Sequence, residues 1–315
     1  MYRKLNTQKA FLHQELGPFL QETMLDNDGS LTEADAAKML RYYGLAVPGI
    51  LGEAFAALRC SSLSEKERRG CTWLGATTGL FDDFFENTSL ADGYIELLYR
   101  QPAMYTGNNA NEKLANHCWR IALIHAANAD LLKDMAGMVH RSQSESRLQK
   151  NNNPGKEALR RITFDKGGYS VLFYMSFFYR EIPPADENLF YHAGALLQLE
   201  NDLFDVYKDH QGHITTLVTG GMKIAPLRTI YLDFWAKTKQ YLNETSYSPA
   251  GKKQFLKILC GLVSRGLVCL DMLQQRENEN HGNFDPAVFT RKQLICDMEK
   301  PVNLLRTMHY YAKIL

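Results

Sequence analysis

The chain of 315 residues is 45% hydrophobic and 23% charged, a balance that suits a packed globular protein and excludes wholesale disorder. Its 36 basic and 35 acidic side chains nearly cancel, so no global field draws it to nucleic acid and any anion site must be local. The six cysteines, Cys60, Cys71, Cys118, Cys260, Cys269 and Cys296, show no C-x-x-C or other metal-ligand spacing and read as reduced core residues. No apolar run is long enough for a signal peptide or a membrane span, so a cytoplasmic location is the expectation.

In chain order, apolar residues recur at helical spacing nearly throughout, as in IELLYRQ, CWRIALIHAANADLLKDMAGMVH and FLKILCGLVSRGLVCLDMLQQ. Period-2 runs joined by Asn-Gly or Asp-Gly turns are missing. The pattern predicts an all-α fold of about nine or ten helices, forming a single domain over residues 1–315. Residues 1–50 carry N-terminal helices of unassigned role. Within them LDNDGSLTEAD fails the register of a calcium loop, because Gly29 at its sixth position would put Met24 at the first ligand position. A Ser30-x-x-Glu33 capping box explains it better. Further breaks are expected at Gly44 to Pro48, Pro102 to Asn109, Pro183-Pro184, Gly220-Gly221 and Asn280 to Pro286, and the polar run 142–155 reads as a mobile loop.

Two acidic motifs carry the chemistry. In CTWLGATTGLFDDFFENTSL, Asp82, Asp83 and Glu86 stand at i, i+1 and i+4 inside a strongly apolar context. On a helix their carboxylates converge, and the repulsion favours a cation between them. Hard oxygen donors of this kind suit Mg²⁺. The residues one and two turns earlier, Gly75, Ala76, Thr78 and Gly79, are small and would leave room for a ligand. In YHAGALLQLENDLFDVYKDHQGH, Asn201, Asp205 and Asp209 fall at i, i+4 and i+8, one stripe beside the apolar Leu196, Leu199, Leu203 and Val206. Ala193 and Gly194 repeat the small residues below the acids.

As an ordered pair these motifs resemble those of the class I isoprenoid synthases. Asp82-Asp83-x-x-Glu86 resembles their first metal motif. Asn201-Asp202-x-x-Asp205-x-x-x-Asp209 resembles the second, with Asp where terpene synthases usually have Ser or Thr, then Glu; its spelling is also similar to that of squalene and phytoene synthases. DKGGYSVLFYMSFFYR, with Lys166, Gly167 and Gly168, resembles the broken helix that turns carbonyls and a cation toward substrate.

The resemblance implies a single antiparallel helical bundle acting as a Mg²⁺-dependent terpene synthase, a monomer or homodimer. Three Mg²⁺ ions held by Asp82, Asp83, Glu86, Asn201, Asp205 and Asp209 would activate the diphosphate of a C15 or C20 prenyl substrate. Lys166, Lys208, Arg160 and Arg161 are candidate diphosphate cations, Arg306 with Tyr310 and Tyr311 a candidate closing pair, and Gly167 a point of close approach. Trp73, Phe84 and Phe177 are the first candidates for an aromatic wall around a carbocation. A condensing enzyme of squalene/phytoene synthase type and a catalytically silent helical binding protein are the alternatives. A chain-elongating prenyltransferase fits less well, since no Arg-Arg pair follows Glu86.

Overall fold

The computed structural model describes residues 2–86, 90–150 and 154–315. Among them the chain is all-helical, with one isolated bridge, Lys150 to Ile214, and no strand. It divides into two compact units, Met1–Gln143 with Phe173–Ile182, and Ser144–Leu172 with Pro183–Leu315.

The first unit opens with α1 (Tyr2–Leu25), then α2 (Glu33–Ala37), a π-helical stretch π1 (Lys38–Tyr43), α3 (Gly44–Ala46), a second π-helical stretch π2 (Val47–Gly52) and α4 (Glu53–Leu58). The capping box of α2 is Thr32 with Asp35, two residues beyond the expected Ser30 and Glu33. Ser30 is instead engaged by the Asp28 carboxylate, which accepts from both its N–H and its hydroxyl. The expected break at Gly44 to Pro48 is helical. A π turn accommodates the irregularity that a proline inserts into the ladder.

Helix α5 (Glu65–Glu86) is capped by Ser64, which exchanges hydrogen bonds with Glu67. It packs against α7 (Ala110–His125) and against π1 and π2. Between α5 and α7, α6 (Asp92–Arg100) buries Ile95, Leu98 and Tyr99. Fully buried Trp119 sits against Phe81 and Phe173 at this core. Helix α8 (Ala129–Ser146) continues into a 3₁₀ turn, Arg147–Gln149. The run expected as a loop is therefore helical through Gln149, whose side-chain amide donates to the Thr215 carbonyl at 3.0 Å. Residues 151–153 of that run lie outside the described residues.

In the second unit α9 (Lys156–Ser176), whose last residues belong to the first, crosses α10 (Pro184–Phe204). Helix α11 (Val206–Gln211) comes directly after it. α12 (Ile224–Glu244) and α13 (Pro249–Glu279) pack with α10 and with each other, and α14 (Arg291–Leu294) leads to α15 (Pro301–Ile314), which lies on α13. Buried Tyr231 ties α12 to α13 through its hydroxyl on the Val263 carbonyl at 3.1 Å. α9 and α10 approach so closely that a Cβ on Gly194 would stand 2.3 Å from the Gly167 carbonyl oxygen. The helix expected to break at Gly167-Gly168 is thus continuous, and its glycines serve a close crossing.

Because a backbone oxygen cannot swing aside, Gly194→Val should cost about 3 kcal/mol or more. Gly261→Ala, in the interior of α13 with open space around it, should instead gain up to about 1 kcal/mol from helix propensity. Urea unfolding of both variants checks the contrast, and equal shifts would refute the crossing.

Candidate functional site

In the first unit Asp82 and Asp83 lie half-buried near the end of α5. Both already have partners that the sequence did not suggest. The Tyr43 hydroxyl donates to Asp82, and Lys38 Nζ lies 2.7 and 2.8 Å from the two oxygens of Asp83. Burial and the Asp82 charge push the Tyr43 phenol far above its ordinary range. Burial acts to lower the Lys38 pKa, but the hydrogen bond and charge of Asp83 outweigh it, so the ammonium is held above its usual value. Lys38 and Tyr43 are the two ends of π1, and no acid-motif reasoning would reach them. The only sequence signal is the flanking irregularity at Gly44 and Pro48.

The small residues of α5 do not make a ligand hollow. A Cβ on Gly75 would meet the Tyr43 carbonyl oxygen at 2.6 Å, and one on Gly79 would meet Lys38 Cβ at 3.2 Å. Their missing side chains admit π1. The Glu86 side chain lies outside the described residues. The three aromatic candidates are buried: Phe84 at 7% exposure, Trp73 with its indole N–H on Glu15 Oε1 at 3.1 Å, and Phe177 filling the space over Gly70.

In the second unit the expected stripe is rotated. Asn201 is exposed, while its neighbour Asp202 is buried, accepting from Gln198 Nε2 at 2.9 Å and from the Thr163 hydroxyl at 3.3 Å. Asp205 ends α10 with φ −92° and ψ 8°, off the helical path. The carboxylates that act on one another are Asp202, Asp205 and Asp209. Burial raises Asp202 to about 6, against the hydrogen bond from Gln198 and the Lys166 charge. Asp209 rises to about 7, first by burial, then by Asp202 and Asp205, with Lys208 and Lys166 opposing. Asp202, Asp205 and Asp209 stand at i, i+3 and i+7, a helical stripe that the spacing admits as readily as the expected one without choosing between them. Two residues before Asp202, buried Glu200 is pushed up to about 8 by desolvation, which the Arg265 charge only partly offsets.

The remaining candidates are dispersed. Gly167 is buried under α10. Lys166 is half-buried and within electrostatic reach of Asp202 and Asp209. Lys208 is exposed, 3.4 Å from Asp205, and exposed Arg161 pairs with Glu145 at 3.4 Å. Tyr310 donates to Asp271 at 2.8 Å, which also receives Arg228, so that tyrosine anchors α15 to α13. Arg306 is exposed on α15.

Among the described residues no three His, Cys, Asp or Glu side chains form a group that could hold a metal ion by themselves. Clefts among the described residues lie elsewhere. One of about 530 Å³ is lined by residues including Phe19, Glu22, Asp26 and His117 in the first unit, and one of about 290 Å³ by residues including Arg160, Asp233 and Lys237 in the second. None of the expected metal ligands lines either. No protein-family model, no curated protein and no solved structure matches the chain.

The raised carboxyls set a pH dependence. A folded pKa above the unfolded value gives stability that is complete below the unfolded pKa and lost as pH rises through the folded one. For Glu200 the loss runs from its usual value up to about 8, at about 1.4 kcal/mol per pH unit. Thermal stability should therefore fall between roughly pH 5 and 8, and Glu200→Gln should flatten the slope. An unchanged slope in that variant would exclude a protonated Glu200.

Proposed function

We propose that the chain is a class I isoprenoid synthase, a Mg²⁺-dependent terpene synthase that ionises a linear prenyl diphosphate of C15 or C20 length. The observation that carries this reading is the acid set at the α10–α11 junction, where buried Asp202 and Asp209 and half-buried Asp205 share one stripe, and burial first and then the two neighbouring acids push the Asp209 carboxyl upward. Carboxylates so placed are satisfied by protons or by a divalent cation. Mg²⁺ commonly takes only one or two protein carboxylates and completes its shell with water and phosphate oxygens, so an open donor set suits it. Asp205 and Asp209 would hold an ion in the second unit, and Asp82 and Asp83 would hold one in the first once Lys38 and Tyr43 give way. When bound, Mg²⁺ supplies charge neutralisation for the departing diphosphate. Lys166 would contribute a charged hydrogen bond to the same oxygens.

A second reading, a catalytically silent helical binding protein, is favoured by the first acid pair. Its Lys38 and Tyr43 partners already supply what a metal would, and π1 occupies the space beside it.

Incubation with Mg²⁺ and prenyl diphosphates of C10 to C20, followed by gas chromatography–mass spectrometry, separates these readings. Cyclic hydrocarbon or alcohol is expected, with Asp83→Ala and Asp209→Ala each losing roughly 100-fold or more at unchanged helical circular dichroism. A longer condensed chain would select the squalene/phytoene type, and no product from any substrate would select the silent protein. Lys38→Met should tighten Mg²⁺ binding in calorimetry by freeing Asp83; weaker or unchanged binding would remove Asp83 from the ligand set.

A further inference from the structure

Helix α15 leaves much of its apolar surface exposed. Its half-buried residues, Asn303, Thr307, Tyr310, Tyr311 and Ile314, recur at helical spacing. The helix is seated on α13, where the Tyr310 hydroxyl reaches Asp271 and the Tyr311 carbonyl accepts from Cys260 Sγ at 3.5 Å. Leu304, Leu305 and Met308 point away at 51, 67 and 67% exposure, joined by Val302 at 53%, and no residue of the helix is buried. A helix that presents a mixed face of Asn303, Thr307, two tyrosines and Ile314 to its own protein, and Val302, Leu304, Leu305 and Met308 to the outside, leaves a second apolar face to something else. Between Lys300 and Leu315 the chain has no acid, while Lys300, Arg306 and Lys313 are all exposed.

We propose that the outer face of α15, Val302, Leu304, Leu305 and Met308 with Lys300, Arg306 and Lys313, docks on an anionic lipid bilayer surface. The apolar side chains would enter the interfacial region and the basic ones meet the headgroup charge, as a basic amphipathic helix lying in the membrane plane does. No described helix is long and apolar enough to cross a membrane, so the attachment is peripheral. A second copy suits the face less well, because two-fold pairing would bring a face without a single acid against its own basic residues. The near-zero net charge of the whole chain makes the attraction local to this helix.

Co-sedimentation of the full chain with vesicles tests the proposal. Binding is expected to phosphatidylcholine mixed with phosphatidylserine, and to weaken in high salt. Arg306→Gln combined with Lys313→Gln should weaken it roughly 30-fold, from about 1 kcal/mol per basic residue near the surface. Leu305→Glu with Met308→Glu should abolish it, while Leu25→Glu, on α1 and 87% exposed, should leave it intact. All these positions are solvent-facing, and unchanged thermal unfolding confirms that the variants fold. Absent binding to the mixed vesicles, or binding indifferent to Leu305→Glu with Met308→Glu, would overturn the proposal. So would a solution dimer, seen by sedimentation equilibrium, that Leu305→Glu disperses while no vesicle binding occurs, which would assign the face to a second copy.

Discussion

A carboxylate taken out of water must find a donor, an opposite charge or a proton, and the acidic motifs of this chain use all three. Asp83 has an ammonium and Asp82 a phenol. Asp202 has an amide and a hydroxyl. Asp209 and Glu200 have too little of either and are driven toward the protonated form. The two motifs, alike in spelling, are therefore physically different: the first is compensated by its own protein, and the second carries repulsion that a cation would relieve. The proposed enzymatic reading leans on the second for that reason.

The same contrast governs the small residues beneath the acids. A missing Cβ removes volume, but it does not say what enters. In the first unit π1 enters over Gly75 and Gly79; in the second, the backbones of α9 and α10 meet at Gly167 and Gly194. Close helix approach gains dispersion contacts along a continuous surface, and this competes directly with leaving a hollow for a ligand.

Irregular helix is what makes the first arrangement reachable. Lys38 and Tyr43 bracket π1, and the wider turn sets their spacing on the face that meets α5. A regular α-helix would rotate one relative to the other. π-turns occur frequently at functional sites, and here the turn delivers two polar groups to two adjacent carboxylates.

The all-helical character was legible in the sequence because apolar periodicity is a local property, renewed every few residues and marked off by proline and glycine. Pro102 to Asn109, Pro183-Pro184, Gly220-Gly221 and Asn280 to Pro286 all fall between helices or at their starts. The positions of the acids along helices were equally legible. Which acid turns inward was not, because Asn201 and Asp202 differ by one residue, a rotation of about 100°, and the departure from helical geometry at Asp205 resets the register of α11. That rotation is decided by packing of the whole helix against its neighbours. The partners Lys38 and Tyr43, some forty residues away in the chain, and the contents of the glycine-lined space likewise exist only once distant segments have been brought together by burial of their apolar faces.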